Sequence, residues 1–136
     1  MDTTSVHLIC EFGGCNADIL NDLAQIKEAM HAATAAANCT VLSENYHQFT
    51  PVGVSALFFL AESHFSLHTW PENGYAAVDI YTCGHRSKPH SAVEILGEVF
   101  EAQSIQVVDM KRGIPVSDGV FTCKIRPARK FTYTKV

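Results

Sequence analysis

Residues 61–84 read AESHFSLHTWPENGYAAVDIYTCG, and the reading of this stretch decides the fold. From 63 to 70 the residues alternate and have β-branched or aromatic neighbours, which favours a strand over a helix. On such a strand His64, Ser66 and His68 share one face, while Ser63, Phe65 and Leu67 share the other. Pro71 closes the strand because it has no N–H to give a ladder, and Asn73-Gly74 is the dipeptide most typical of a tight hairpin turn. A second arm over 75–82 returns beside the first and carries Cys83 back towards Ser63. A thiol, a hydroxyl and an imidazole are therefore expected in one small volume.

Outward from this hairpin, residues 4–12 alternate in part and predict a first strand, broken by Gly13-Gly14. Asn16 is a good N-cap, with Asp18 in the first turn, and Ile19, Leu23, Ile26, Met30, Ala33 and Ala37 form one helical stripe ending at a C-cap, Asn38. The small alanines let this single helix lie close against a sheet, so its methionine and alanine face reads as core. Residues 39–49 and 53–61 predict two more strands separated by Thr50-Pro51. Leu57-Phe58-Phe59-Leu60 is apolar on both faces, the mark of a central strand covered on both sides. Ala92, Ile95, Leu96, Val99 and Phe100 give a second helix over 89–103, with Pro89 in its first turn. A strand over 104–110 follows, and 120–125 adds another at an edge. This order predicts one α+β domain over 1–136: a two-layer α/β sandwich with a mostly antiparallel sheet and two main helices on one face.

A chain of 136 residues buries roughly two thirds of its unfolded surface as one domain. No apolar run approaches eighteen residues and no basic segment precedes an apolar one, so neither membrane span nor secretory signal is expected and the cytoplasm is the expected compartment. Cys10, Cys15, Cys39, Cys83 and Cys123 are odd in number and irregularly spaced, which argues for reduced thiols over a disulfide framework or zinc knuckle. His64, His68 and His85 show no metal-binding spacing, and no metal is expected. Lys27 is the only Lys or Arg before Ser63, whereas seven of the ten lie from Lys111 onwards. A basic tail can signal nucleic acid, but Lys124, Arg126, Arg129 and Lys130 alternate with apolar residues, which reads as the wet face of a strand.

The motifs Ala61-Glu62-Ser63-His64, His68-Thr69-Trp70-Pro71-Glu72, Gly74-Tyr75-Ala76-Ala77-Val78-Asp79 and Thr82-Cys83-Gly84 form one block. With His7-Leu8-Ile9, Phe49-Thr50-Pro51 and Gly53-Val54-Ser55 around it, the chain resembles the short prokaryotic class of S-adenosylmethionine decarboxylase proenzymes from about His7 to Gly113. Decarboxylating an amino acid leaves a carbanion that needs an electron sink. Pyridoxal phosphate is not expected, because Lys27 and Lys88 are the only lysines before the last 26 residues and no glycine-rich phosphate loop is present. The resemblance implies instead that Ser63 attacks the Glu62 carbonyl, splitting the chain into a β chain (1–62) and an α chain (63–136) that begins with a pyruvoyl group made from Ser63.

By the same resemblance Ser55 and His68 assist processing, with His68 as base, and Cys83 reprotonates the substrate Cα. Phe49 stacks on the adenine and Glu72 accepts from the ribose hydroxyls, while Trp70 is expected to pack beneath the hairpin. Asn73 departs from the aromatic residue usual in the family at that place. The resemblance further implies a homodimer with two shared sites, Glu62, Ser63 and Cys83 coming from one chain and Phe49, Ser55, His68 and Glu72 from the other. The expected substrate is S-adenosylmethionine, as a step towards spermidine. Two alternatives stay open: the same chemistry on ornithine or arginine, and an unprocessed binding or regulatory homologue.

Overall fold

The structure is a computed structural model that describes residues 2–132, with side chains for 2–126. Strand β1 spans Ser5–Gly13, and two helices follow, α1 over Ala17–Leu20 and α2 over Leu23–Ala36. Strands β2 (Val41–Gln48), β3 (Val54–Leu60) and β4 (Ser63–Trp70) come next, then a single 3-10 turn over Pro71–Asn73 and strand β5 (Tyr75–Cys83). Helix α3 (Pro89–Val99) leads into β6 (Ser104–Ser117) and β7 (Val120–Thr132). The strands form one seven-stranded sheet in the order β2-β3-β4-β5-β1-β6-β7, with every pairing antiparallel. This is the expected two-layer α+β class.

One layer is closed. Ile26, Met30 and Ala33 of α2 and Ala92 and Leu96 of α3 pack with Leu8, Phe12, Phe58, Phe65, Leu67, Ile80 and Ile105, all at most 2% exposed. Alternation then drives the intervening residues of each strand to the opposite face. Among the described residues that second face has no layer over it: Leu57 is 53% and Phe59 59% exposed. The expectation that β3 is covered on both sides is thus corrected for the single chain, whose helices all lie on one side.

The helix expected over 16–38 is in fact two. Asn16 caps α1, its side chain accepting from Asp18 N and Ile19 N, but Asp22 then caps a new helix by accepting from Gln25 N at 3.1 Å. The residue between them, Asn21, uses its side-chain oxygen to accept from Gly53 N at 2.9 Å, pinning the loop before β3. The apolar period continues through this break, which is why periodicity alone misses it. Asn38 does follow the last turn with φ 57°, as a helix-ending residue does.

The hairpin turn also differs. A 3-10 turn started by Pro71 replaces the two-residue turn, and Gly74 closes it at φ 60°. A Cβ on Gly74 would lie 3.2 Å from the Cys15 carbonyl oxygen, so glycine serves both the conformation and the close approach. Strands β6 and β7 run well beyond the expected 104–110 and 120–125, because each supplies the other's ladder partners past the body of the sheet. Residues 120–126 are exposed throughout, Lys124 and Arg126 among them, whereas the side chains of Arg129 and Lys130 lie outside the described residues.

Candidate active site

The open face carries Ser55, His68 and Cys83, Ser63 stands at one end of the same strands, and strand register fixes their spacing. Ser63 pairs with Leu60 on one side and Thr82 on the other, at one end of β3, β4 and β5. Cys83 is the next residue along β5, and its backbone N–H donates to the Glu62 carbonyl oxygen at 3.0 Å. A Ser63 hydroxyl would attack that carbonyl, and this N–H sits where negative charge would then gather. Thr40 N donates to Glu62 Oε1 at 2.9 Å, and Ala61 N donates to the Thr40 carbonyl at 2.9 Å, so the turn before Ser63 is tied to the start of β2. Ser63 itself has φ 142°, a backbone conformation that side-chain-bearing residues rarely adopt. Strain of that kind is worth on the order of 1–3 kcal/mol, and here it lies in the backbone of Ser63, the residue that follows the Glu62 carbonyl.

A second group gathers at the other end of the same strands. Ser55 and His68 face each other across β3 and β4, with Ser55 Oγ 2.7 Å from His68 Nδ1. Glu72 lies in the 3-10 turn just beyond β4 and is exposed. Phe49 follows β2, is 47% exposed and sets its ring 4.5 Å from that of His47. Trp70 is not beneath the hairpin as expected but on the open face, 41% exposed and stacked on Tyr75 at 5.1 Å. The Ser55–His68 pair stands five ladder positions from Leu60–Ser63, roughly 17 Å at about 3.4 Å per residue. Within one chain, therefore, Glu62, Ser63 and Cys83 form one group and Phe49, Ser55, His68 and Glu72 another.

A cavity of about 810 Å³ opens on this face, lined among others by Leu57, Phe59, Ser63, His64, His68 and Tyr81. A smaller one of about 230 Å³ lies beside Ser55 and His68. The larger joins apolar strand residues to a few polar groups, as small-molecule sites do, whereas the smaller is lined chiefly by polar residues, Asn45, His47 and Ser66 among them.

Around the larger cavity the structure assembles a network to which sequence reasoning gave no role. Asp79 Oδ2 accepts from Nε2 of both His7 and His64, each at 2.8 Å, and Asp79 Oδ1 accepts from Ser66 Oγ. Partial burial raises the Asp79 carboxyl, but the hydrogen bonds from Ser66, His64 and His7 outweigh it and hold the group below the ordinary carboxylate range. The legible signal was a lone carboxylate in the apolar run Ala76-Ala77-Val78-Asp79-Ile80. His7, His64 and Asp79 place ligand atoms within 4.8 Å of one another, close enough to hold an ion. However, Arg112 Nη1 donates to His7 Nδ1 at 3.2 Å, and a guanidinium cannot accept, so the proton of a neutral His7 sits on Nε2, facing Asp79. Hydrogen bonding suits this cluster better than coordination.

The thiols separate by burial. Desolvation pushes Cys10 and Cys15 up to about 12 and Cys39 up to about 11, whereas Cys83 is exposed at the end of β5.

A family profile described as S-adenosylmethionine decarboxylase matches residues 6–113. The chain belongs to the S-adenosylmethionine decarboxylase family. The S-adenosylmethionine decarboxylase proenzyme of Thermodesulfovibrio yellowstonii is 45% identical over 114 residues, 84% of each chain. That of Pyrococcus horikoshii is 43% identical over 122 residues, covering 90% of this chain and 88% of its own. A crystal structure of the adenosylmethionine decarboxylase from Aquifex aeolicus superposes with a TM-score of 0.74 at 36% identity, covering 80% of this chain and 90% of that one. The chain is thus a decarboxylase. The matched span of this S-adenosylmethionine decarboxylase family member includes both groups of site residues and the Asp79 network, and it stops before the outer part of the β6–β7 hairpin.

Proposed function

We propose that this chain is a proenzyme that cleaves itself between Glu62 and Ser63 and then decarboxylates S-adenosylmethionine, supplying an aminopropyl donor for spermidine synthesis. The single domain would become a β chain of 1–62 and an α chain of 63–136. The residues fit a pyruvoyl group at position 63: a strained serine follows a carbonyl already held by the Cys83 N–H, beside an open cavity. Such a group supplies a ketone that takes up the electrons released when carbon dioxide leaves. His68, hydrogen-bonded to Ser55, is the base for processing, and Cys83 is the proton donor in turnover. Phe49 offers a half-exposed ring for the adenine, and Glu72 an exposed carboxylate for the ribose hydroxyls. The expected compartment is the cytoplasm, in keeping with five free cysteines.

The observation that carries this reading furthest is the separation of the two groups along an uncovered sheet face. Ile9, Leu57, Phe59 and Trp70 are exposed apolar side chains on that face. A second copy laid against it about a two-fold axis would cover them, and would bring one chain's Ser63 end to the other's His68 end. Each active site would then be shared.

Co-expression tests this directly. Ser63→Ala and His68→Ala chains, each inactive alone, should together recover about a quarter of wild-type activity, since random pairing makes half the dimers mixed, each with one complete site of two. No recovery would overturn the shared site. Carbon dioxide release from S-adenosylmethionine, ornithine and arginine tests the substrate, and release from either amino acid but not from S-adenosylmethionine would overturn that assignment alone.

Glu72→Gln should leave self-cleavage intact while weakening S-adenosylmethionine turnover about tenfold or more, because an amide loses charge-assisted bonds worth about 1.5–3 kcal/mol each. Intact mass and steady-state kinetics on one preparation separate the two effects.

A further inference from the structure

His64 is the residue next to the cleavage point, and its two ring nitrogens are in different states. Nε2 is committed to Asp79 Oδ2 at 2.8 Å. An ionised carboxylate only accepts, so Nε2 carries a proton and neutral His64 keeps its lone pair on Nδ1. Nδ1 has no protein hydrogen-bond partner among the described residues, and the side chain is 37% exposed where it lines the 810 Å³ cavity alongside Ser63. Asp79 is itself fixed from three sides, by His7, Ser66 and His64, and His7 is held in turn by Arg112. A carboxylate that locks an imidazole in one tautomer with its other nitrogen free is the arrangement of a positioned proton acceptor.

We infer that His64 is a proton acceptor for the α-ammonium group of the substrate, with Asp79 as its positioning residue. The inference rests on the function proposed above and assigns a step that Cys83 and His68 do not serve. An amino acid reaches the cavity as an ammonium ion, whose nitrogen has no electron pair to offer a ketone. Transfer of one proton to Nδ1 frees that pair, and the nitrogen bonds the carbonyl carbon of residue 63. The carbonyl oxygen leaves as water with the two protons shed by nitrogen, each carried by His64 in turn. The imidazole ends unprotonated and nothing is oxidised or reduced. The groups facing His64 are His7 from β1, Asp79 and Tyr81 from β5 and Arg112 from β6, while β3 presents Phe59 and Leu57. Among these, His64 alone combines a free basic nitrogen with the cavity wall and adjacency to Ser63.

His64→Gln is the test, because an amide NH₂ keeps a donor for Asp79 but offers no basic nitrogen. The processed variant is mixed with S-adenosylmethionine, reduced with borohydride at set times, and the mass of the 63–136 chain is followed. Self-cleavage and thermal midpoint should stay near wild type. The rate of adduct formation should fall about a hundredfold, and added imidazole should restore part of it. Asp79→Asn should slow the adduct less, and nitrogen-detected NMR of the imidazoles should show that His64 no longer holds its proton on Nε2 alone. Wild-type adduct rates in His64→Gln, or a slowing that imidazole does not relieve, overturn the inference. If the wild type itself forms no adduct, the function proposed above fails instead. Should His64→Gln not fold, the same NMR spectrum of the wild type decides, and a proton resident on Nδ1 of neutral His64 overturns the inference.

Discussion

Ser63→Ala is expected to yield one uncut chain of full length and no decarboxylase activity. Cleavage needs an oxygen nucleophile on residue 63, and an alanine methyl has none. Because the Glu62 carbonyl keeps its hydrogen bond from the Cys83 N–H in this variant, the fold should persist and the loss should be purely chemical. The wild type, by contrast, should show two masses, with the 63–136 chain blocked to N-terminal sequencing. A second substitution separates chemistry from strain. With φ 142° at residue 63, glycine is at ease where alanine is not, so Ser63→Gly should be more stable than Ser63→Ala by about 1 kcal/mol or more. Neither variant can cleave, so thermal denaturation compares them without interference from processing. Equal stabilities would show that residue 63 carries no backbone strain.

Cys83→Ala should split two roles that lie on one residue. Its backbone N–H, which holds the Glu62 carbonyl at 3.0 Å, survives the substitution, and the pyruvoyl chain should still form. The thiol does not survive. Turnover should drop by roughly a hundredfold or more, the effect of removing a positioned general acid. Without that donor the carbanion is open to protonation on the wrong carbon, which would pass the substrate's amine to residue 63 and leave alanine there. Mass spectrometry of the 63–136 chain after turnover detects this conversion. Wild-type turnover with no such product would reduce Cys83 to a backbone donor.

Much of this molecule was legible before any coordinates. The alternation over 63–70 fixed which side chains share a face, and the structure places His64, Ser66 and His68 together as that period requires. The stripe from Ile19 to Ala37 located the first helical region, and the family motifs singled out Ser63 as the proposed cleavage point. What stayed illegible was of two kinds. Asp22 broke the helix because a side-chain cap competes locally with the stripe, and a period count does not register caps. Trp70 and Phe59 pointed to open surface because alternation names a face but not what covers it.

Sequence by itself determined where the strands and the helical regions lie, which residues of a strand share a face, that 63–70 and 75–82 form a hairpin, and the family, since these depend on local period and motif. Only the tertiary structure decided that Ser55 and His68 stand five ladder positions from Ser63, that the Cys83 N–H reaches the Glu62 carbonyl, and that His7, which lies 72 residues from Asp79 in the chain, meets it on the sheet. The reason is register. A strand's own residues set its period of two, but which residue of a distant strand lies opposite is fixed by burying one whole face of the sheet at once. Catalytic distances are differences between such registers, and no single stretch of the chain contains them.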